Sequence, residues 1–432
     1  VLFSVRTQQP NARRRRNAAR STLQKLAPFR GPALALLVLL AAPARAAGQT
    51  VIRGGVVHTM GPAGTIRDGV VIIQDGRISV VGTAAEVAIP EGAPVLTAEV
   101  VTPGLIDAHC VVGLSGIYNQ PHDSDQIERS GPIQPELRAL DAYNPQERLV
   151  EWVRSFGVTT IHTGHAWGEL ISGQTIIVKT AGRTVEEALL RAPGAVAATL
   201  SPWAQKSDGK SPGTRGKMMA LLRAELIRAR EYLHKQAQDD PNQKPERNLR
   251  YEVLGRVLTG EVPLMITANR AQDIVSALRL AREFGLKVWL DSAAEAYLLV
   301  NEIRTADVPV IVHPTMFRAW GETENLSYET AAVLKRAGIP IALQSGYESY
   351  VPKTRVVLFE AALAAANGLS FEDALASITI DAARILGIAE RVGSLEVGKD
   401  GDAALYDGDP FEYTTHCTGV VINGRPVSRA RR

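Results

Sequence analysis

The sequence predicts an α/β protein built on a (β/α)8 TIM-like barrel, with a small β-sandwich domain assembled from the N- and C-terminal segments. Three observations carry this reading. Short β-branched runs alternate with amphipathic helical stretches through the middle of the chain, as repeated strand–helix units do. No G-x-G-x-x-G opens a helix after a strand, so a doubly wound dinucleotide-binding sheet, the competing architecture, has no support. Both ends are rich in short strands and tight-turn dipeptides, and two such segments can close one small domain.

The chain starts differently from the rest. Its first 50 positions hold nine basic residues and no Asp or Glu. Arginines 13 to 16 precede an apolar run from Ala33 to Ala41, and Ala44-Arg45-Ala46 follows as a small-residue cleavage pattern. This order marks residues 1–48 as a secretory signal peptide and predicts a secreted or periplasmic protein. The apolar run is short for a membrane span, so none is expected after cleavage. The whole chain has 48 basic and 45 acidic residues, a net +3. Without the arm, 39 basic residues face 45 acidic ones, a net −6. The basic balance therefore belongs to the arm, and no nucleic-acid partner is expected.

Residues 49–100 read as β structure, with Asp75-Gly76 as a hairpin turn; near the other end Asn423-Gly424 gives the same signal. Segments 49–100 and 388–432 are assigned to the composite sandwich, and 101–387 to the barrel. Barrel strands are expected at Leu105–His109, Val158–His162, Ile176–Lys179, Val196–Leu200, Leu264–Ala268, Val288–Asp291, Val310–Val312 and Ile341–Gln344. Helices are expected at Pro145–Ser155, Arg215–Gln236, Ala271–Phe284, Ala294–Thr305, Ser327–Ala337 and Lys353–Ala366. Polar segments 116–144 and 201–214 follow strands, where the loops of a barrel's catalytic face gather. Cys110 and Cys417 allow one bridge, which spacing alone does not decide.

The chemistry concentrates on the first barrel strand, Pro103-Gly104-Leu105-Ile106-Asp107-Ala108-His109-Cys110-Val111. It resembles the entry strand of the amidohydrolase superfamily, PGLIDxHxH. The closing Gly398-Lys399-Asp400-Gly401-Asp402-Ala403 and the preceding 379–387 stretch are similar to that family as well. The resemblance covers essentially the whole chain after the arm and is closest to the imidazolonepropionase-like branch. It implies a hydrolase of non-peptide carbon–nitrogen bonds in cyclic amide-like substrates. It also implies a divalent metal, typically zinc, held by His-x-His on strand 1, a lysine, histidines on strands 5 and 6, and an Asp on strand 8.

Several of those positions are replaced. His109 remains, but Val111 stands for its partner, Asn269 and Ser292 are read at the strand 5 and 6 positions, and Gly346 stands for the Asp. Lys179 matches the lysine position, making His109 and Lys179 the catalytic candidates. A catalytic zinc needs about three protein ligands and an open position, and Val and Gly cannot ligate, so a weak or absent metal is expected. A rebuilt site would draw on His109, Lys179, His162 and His165, with Asp123, Asp125, Asn269, Ser292, His313 and Tyr347 as pocket residues and Glu348 nearby. Two functions follow. One is an exported hydrolase of C–N bonds; the other is a non-catalytic member that binds a small molecule, forms a homo-oligomer, or pairs with an active paralog.

Overall fold

The protein is described by a computed structural model covering residues 48–118, 120–207, 209–316, 319–347 and 356–432. Residues 1–47 of the segment expected to be a signal peptide, Glu348, and residues 353–355 of the expected Lys353–Ala366 helix lie outside the described residues. No helix among the described residues is long and apolar enough to cross a membrane.

The ends of the chain share one seven-stranded sheet. From the N-terminal side come Gln49–His58, Thr65–Gln74, Arg77–Thr83 and Val95–Pro103; from the C-terminal side come Ala403–Tyr406, Cys417–Ile422 and Arg425–Ser428. The two sides meet where Val95–Pro103 runs antiparallel to Ala403–Tyr406, with Val101 opposite Leu405. Both predicted hairpin turns form. Asp75 and Gly76 have φ of 52° and 84°, and Asn423 and Gly424 have 50° and 71°. These are the left-handed conformations that a type I′ turn needs. No disulfide joins Cys110 to Cys417.

Val95–Pro103 leads through Gly104 into the first barrel strand, Leu105–Cys110. Its neighbours in order are Val158–Thr163, Ile176–Lys179, Val196–Thr199, Leu264–Thr267, Val288–Ser292, Val310–Val312 and Ile341–Leu343. The fourth to eighth strands pair in parallel, and so do the first and second. A bridge between Cys110 and Gly346 closes the ring. The third strand breaks the pattern. Ile176–Lys179 pairs antiparallel with the second strand, and Ile171–Gln174, just before it, pairs antiparallel with the fourth. The run 171–179 is thus a single reversed stave, and the chain reaches it by a short return from the second strand.

Side chains alternate along each stave. Val288 and Leu290, Leu264 and Ile266, and Ile341 and Leu343 face the helical layer, with the largest apolar cluster. Ile106, Ala108, Ile177, Ala197, Met265, Trp289, Ile311 and Ala342 fill the barrel interior, together with Ala382, Ala383 and Leu386 of the Ile380–Leu386 helix. This packed plug forms the floor beneath the polar residues at the other end of the staves.

Candidate functional site

The polar residues follow from the same alternation. One step beyond Met265 and Trp289 on the inward face come Thr267 and Asp291; beyond Ile311 and Ala342 come His313 and Gln344. His109 ends the first strand and His162 lies on the second. The inward ends of the strands thus hold a polar layer over an apolar floor.

A buried ion pair lies at its centre. His109 Nδ1 is 2.8 Å from Asp291 Oδ1, and both side chains are at most 5% exposed. Asp291 also accepts from Thr267 Oγ1 at 2.6 Å and from Gln344 Nε2 at 2.7 Å. Burial pushes the Asp291 pKa up, but the His109 charge and these three hydrogen bonds outweigh it, and the net direction is down. Burial pushes His109 down, but Asp291 outweighs it and the net direction is up, with smaller help from Asp107 and the backbone of His165. The two directions agree: the pair is imidazolium and carboxylate. His109 Nε2 makes no hydrogen bond of normal geometry with any described residue.

Three histidines near the pair, His162, His165 and His313, are held neutral by burial. His162 Nδ1 donates to the Ala108 carbonyl at 2.7 Å, and Nε2 accepts from Thr175 Oγ1 at 2.6 Å. Both nitrogens are used, and burial with the nearby His109 charge lowers the pKa to about 3. His165 lies against Gly173, where a Cβ would come within 2.4 Å of Nε2; burial lowers it to about 4. His313 is pushed to about 4, again chiefly by burial. It occupies the space next to Gly346, whose missing Cβ would fall 2.9 Å from His313 Nε2. Asp107 is buried under the first strand, accepting from Ser345 N at 3.1 Å and His109 N at 3.3 Å; burial raises it to about 6.

Above the ion pair is a small cavity lined by His109, Val111, Trp167, His313, Gly346 and Tyr347, with Asp291 and Ser292 at its side. It measures about 250 Å³ in all, of which about 10 Å³ is open to the centre of a water molecule. That is room for about one water.

Several sequence expectations need correction. Lys179 is not at this end of the barrel. Its strand runs antiparallel, so its C-terminal residue emerges at the opposite end, where Nζ meets Asp400 Oδ2 at 2.8 Å and Asp402 Oδ2 at 2.9 Å. It can neither hold a metal beside His109 nor act in catalysis there. From the sixth strand Asp291, not Ser292, reaches His109, and from the fifth Thr267, not Asn269, reaches Asp291. Asn269 lies beyond the strand end and accepts from Ala294 N at 3.3 Å. Ser292 is one residue past Asp291 with φ of 70°, beside the pair rather than in it. Asp123 and Asp125 are in the first loop; Asp123 is 3.4 Å from His122, whose side chain is 76% exposed, and neither lines the cavity. His313 and Tyr347 do. Sequence reading missed Asp291, Thr267 and Gln344; the signal for them was the two-residue periodicity counted inward from Met265, Trp289 and Ala342.

The donors do not fit the metal that the resemblance implies. Zinc needs about three converging ligands. Among the described residues no group of three His, Cys, Asp or Glu is placed to hold an ion. Both nitrogens of His162 are engaged, and the Asp291 carboxylate is shared among His109, Thr267 and Gln344.

Comparison with known proteins places this geometry. The family model described as "Amidohydrolase family" matches residues 315–428. The chain is 26% identical over 406 residues to the amidohydrolase tasK of Hapsidospora irregularis, covering 82% of this chain but only 39% of that protein. It is 28% identical over 374 residues to the imidazolonepropionase of Maricaulis maris, covering 80% of this chain and 88% of that one. Among solved structures, an amidohydrolase from Thermotoga maritima MSB8 superposes with a TM-score of 0.82 at 28% identity, over 88% of this chain and 100% of that one.

Proposed function

Because this chain belongs to the amidohydrolase superfamily, we propose that it keeps the family's barrel as a binding pocket for a small molecule and does not run a metal-assisted hydrolysis. One observation carries the reading: a buried imidazolium–carboxylate pair, His109–Asp291, lies at the centre of the polar layer, and its carboxylate is fully used by neighbours. The pair balances its own charge and calls for no cation. The Asp291 carboxylate favours the protonated form of His109, and in that form Nε2–H offers a donor to a ligand oxygen. Export through the N-terminal arm and pairing with an active paralog belong to the same proposal; they draw support from the order of basic, apolar and small residues there and from the replaced ligands.

A second reading, hydrolysis of a non-peptide C–N bond in a cyclic amide, is favoured by the open Nε2 of a carboxylate-backed imidazole, the arrangement of an acid–base residue. Metal analysis of protein purified without chelator, with calorimetry and turnover assays on lactams and hydantoins, separates the two. Binding without turnover and without stoichiometric metal is expected. Stoichiometric zinc that is lost in His109→Ala sinks the first reading.

A further inference from the structure

The cavity over His109 is closed by side chains from separate loops, and one of them is fastened in a way the others are not. Trp167, from the loop after the second strand, lines the cavity. Trp203, from the loop after the fourth strand, stacks on it with ring centroids 3.7 Å apart and planes at 25°. Tyr347 meets Trp167 edge-on at 6.3 Å and accepts from Gln126 Nε2 at 3.0 Å, which ties in the first loop. Three residues after Trp203, Lys206 Nζ pairs with Glu169 Oε1. Glu169 is fully buried, and its other oxygen has no partner among the described residues.

We propose that residues 201–207 are a gate over the His109 cavity, latched by the Trp167–Trp203 stack and the Lys206–Glu169 pair, and that Trp203 and Lys206 set which ligands reach His109. The closed cavity has room for about one water, so any larger ligand enters only when a wall moves. Among those walls Trp167 comes from a loop, and Trp203 and Lys206 lie against Trp167 and Glu169 of that loop. Residues 201–207 lie between the end of the Val196–Thr199 strand and Thr214, which caps the helix Arg215–Gln236. Within the segment the backbone is held by local turns, Ala204 N to Ser201 O and Gln205 N to Pro202 O at 3.0 Å each, and by Lys206 N to Pro212 O at 2.7 Å. Such a segment swings as a unit once its latch opens. Opening separates the stacked rings and leaves the buried Glu169 carboxylate without its ammonium partner, and both favour the shut position. The inference does not depend on whether the pocket turns a substrate over.

Val111 lines the same cavity, two residues beyond His109, and is buried, so Val111→Cys made together with Cys110→Ser supplies a probe. Alkylation by iodoacetamide, followed residue by residue with peptide mass spectrometry, reads the opening of the gate in the full-length protein. Cys417, buried in the other domain's sheet, is the internal control. In that background Trp203→Ala and Lys206→Met are each expected to raise the rate at position 111 tenfold or more and leave Cys417 unchanged, with Lys206→Arg returning to the parent rate. An unchanged rate at position 111 in both variants overturns the gate. So does a parallel rise at Cys417, which reports general loosening. Neither outcome bears on metal content or turnover, so this test fails separately from that of the proposed function.

Discussion

The two ends of the barrel each bury an ion pair, and the pairs are built for different purposes. At the lower end, Lys179 Nζ donates to Asp400, Asp402 and Asn423, three acceptors for its three protons. Arg391 meets the same Asp400 oxygen at 2.7 Å, and the Asn423 backbone N–H donates to Asp402 at 2.8 Å. Every strong donor is spent on joining the barrel to the terminal sheet. At the upper end, Asp291 is equally saturated, but His109 Nε2, near the His165 backbone, makes no hydrogen bond of normal geometry among the described residues and lies beside a cavity. A saturated pair holds structure together; a pair with one open donor beside a cavity retains the capacity to bind. The same sequence logic that paired Lys179 with His109 misses this, because a reversed strand separates them by the height of the barrel.

The largest effect is expected at the lower end. Lys179→Met removes the ammonium from between two carboxylates and leaves Asp402, already pushed up by burial, without a cation. Removing one partner of a buried pair costs about 3–5 kcal/mol, read as a fall in the midpoint of denaturant unfolding, while ligand binding by the protein that remains folded is unaltered. A loss below about 1 kcal/mol would erase the distinction between the ends.

At the upper end the cost is smaller, because His109 can shed its proton. Asp291→Asn is expected to destabilise by about 2–3 kcal/mol. It should also reverse the direction of the His109 shift, since burial then acts without an opposing charge. An NMR titration of the His109 ring checks the sign: a pKa still above the ordinary value would mean that Asp291 is not the dominant partner.

How much of this was legible in the sequence depends on which property is asked for. The extents of Ile176–Lys179, Arg215–Gln236 and Ala271–Phe284 were read as they stand, because apolar runs and caps such as Thr214 are local. Strand direction and facing are not local. Leu264–Thr267 and Val288–Ser292 are buried on both faces, so hydrophobicity does not reveal which residues point inward. A slip of one or two positions exchanged Asp291 for Ser292 and Thr267 for Asn269. The reversal of residues 171–179 is set by their pairing with strands on both sides, which no short window contains.

The buried neutral histidines make the upper end acid-sensitive. In the folded state His162 is held near 3, and His165 and His313 near 4, all below the ordinary value of 6.5. The unfolded chain therefore binds more protons, and stability present above pH 6.5 is lost as the pH falls toward these values. Asp107, raised to about 6, acts oppositely: its contribution grows as the pH falls from 6 toward its ordinary 3.8. Between pH 6 and 4 the three histidines outweigh the one carboxylate. Each contributes a slope of up to about 1.4 kcal/mol per pH unit. Unfolding free energies measured at several pH values should thus fall with acidification, and His162→Gln should flatten the fall by about that much. An unchanged slope in the variant would remove His162 from the acid-sensitive group.

The smallest effect tests whether the polar first loop belongs to either end. His122, Asp123 and Asp125 offer oxygen and nitrogen donors in sequence, a pattern that suits a metal as well as a solvated turn. The geometry favours the turn. His122 and Asp123 meet at 3.4 Å in water, Asp123 O accepts from Gly116 N at 3.0 Å, and Asp125 N donates to Leu114 O at 2.9 Å. The segment is held by its backbone, so its carboxylates have little to stabilise. Surface substitutions of this kind stay within about 0.5 kcal/mol, and Asp125→Asn should do the same in denaturant unfolding, with no change in metal content or ligand affinity. A loss of ligand affinity in this variant would extend the upper site outward into the first loop, and the contrast between a saturated lower end and a compact, single-donor upper end would have to be redrawn.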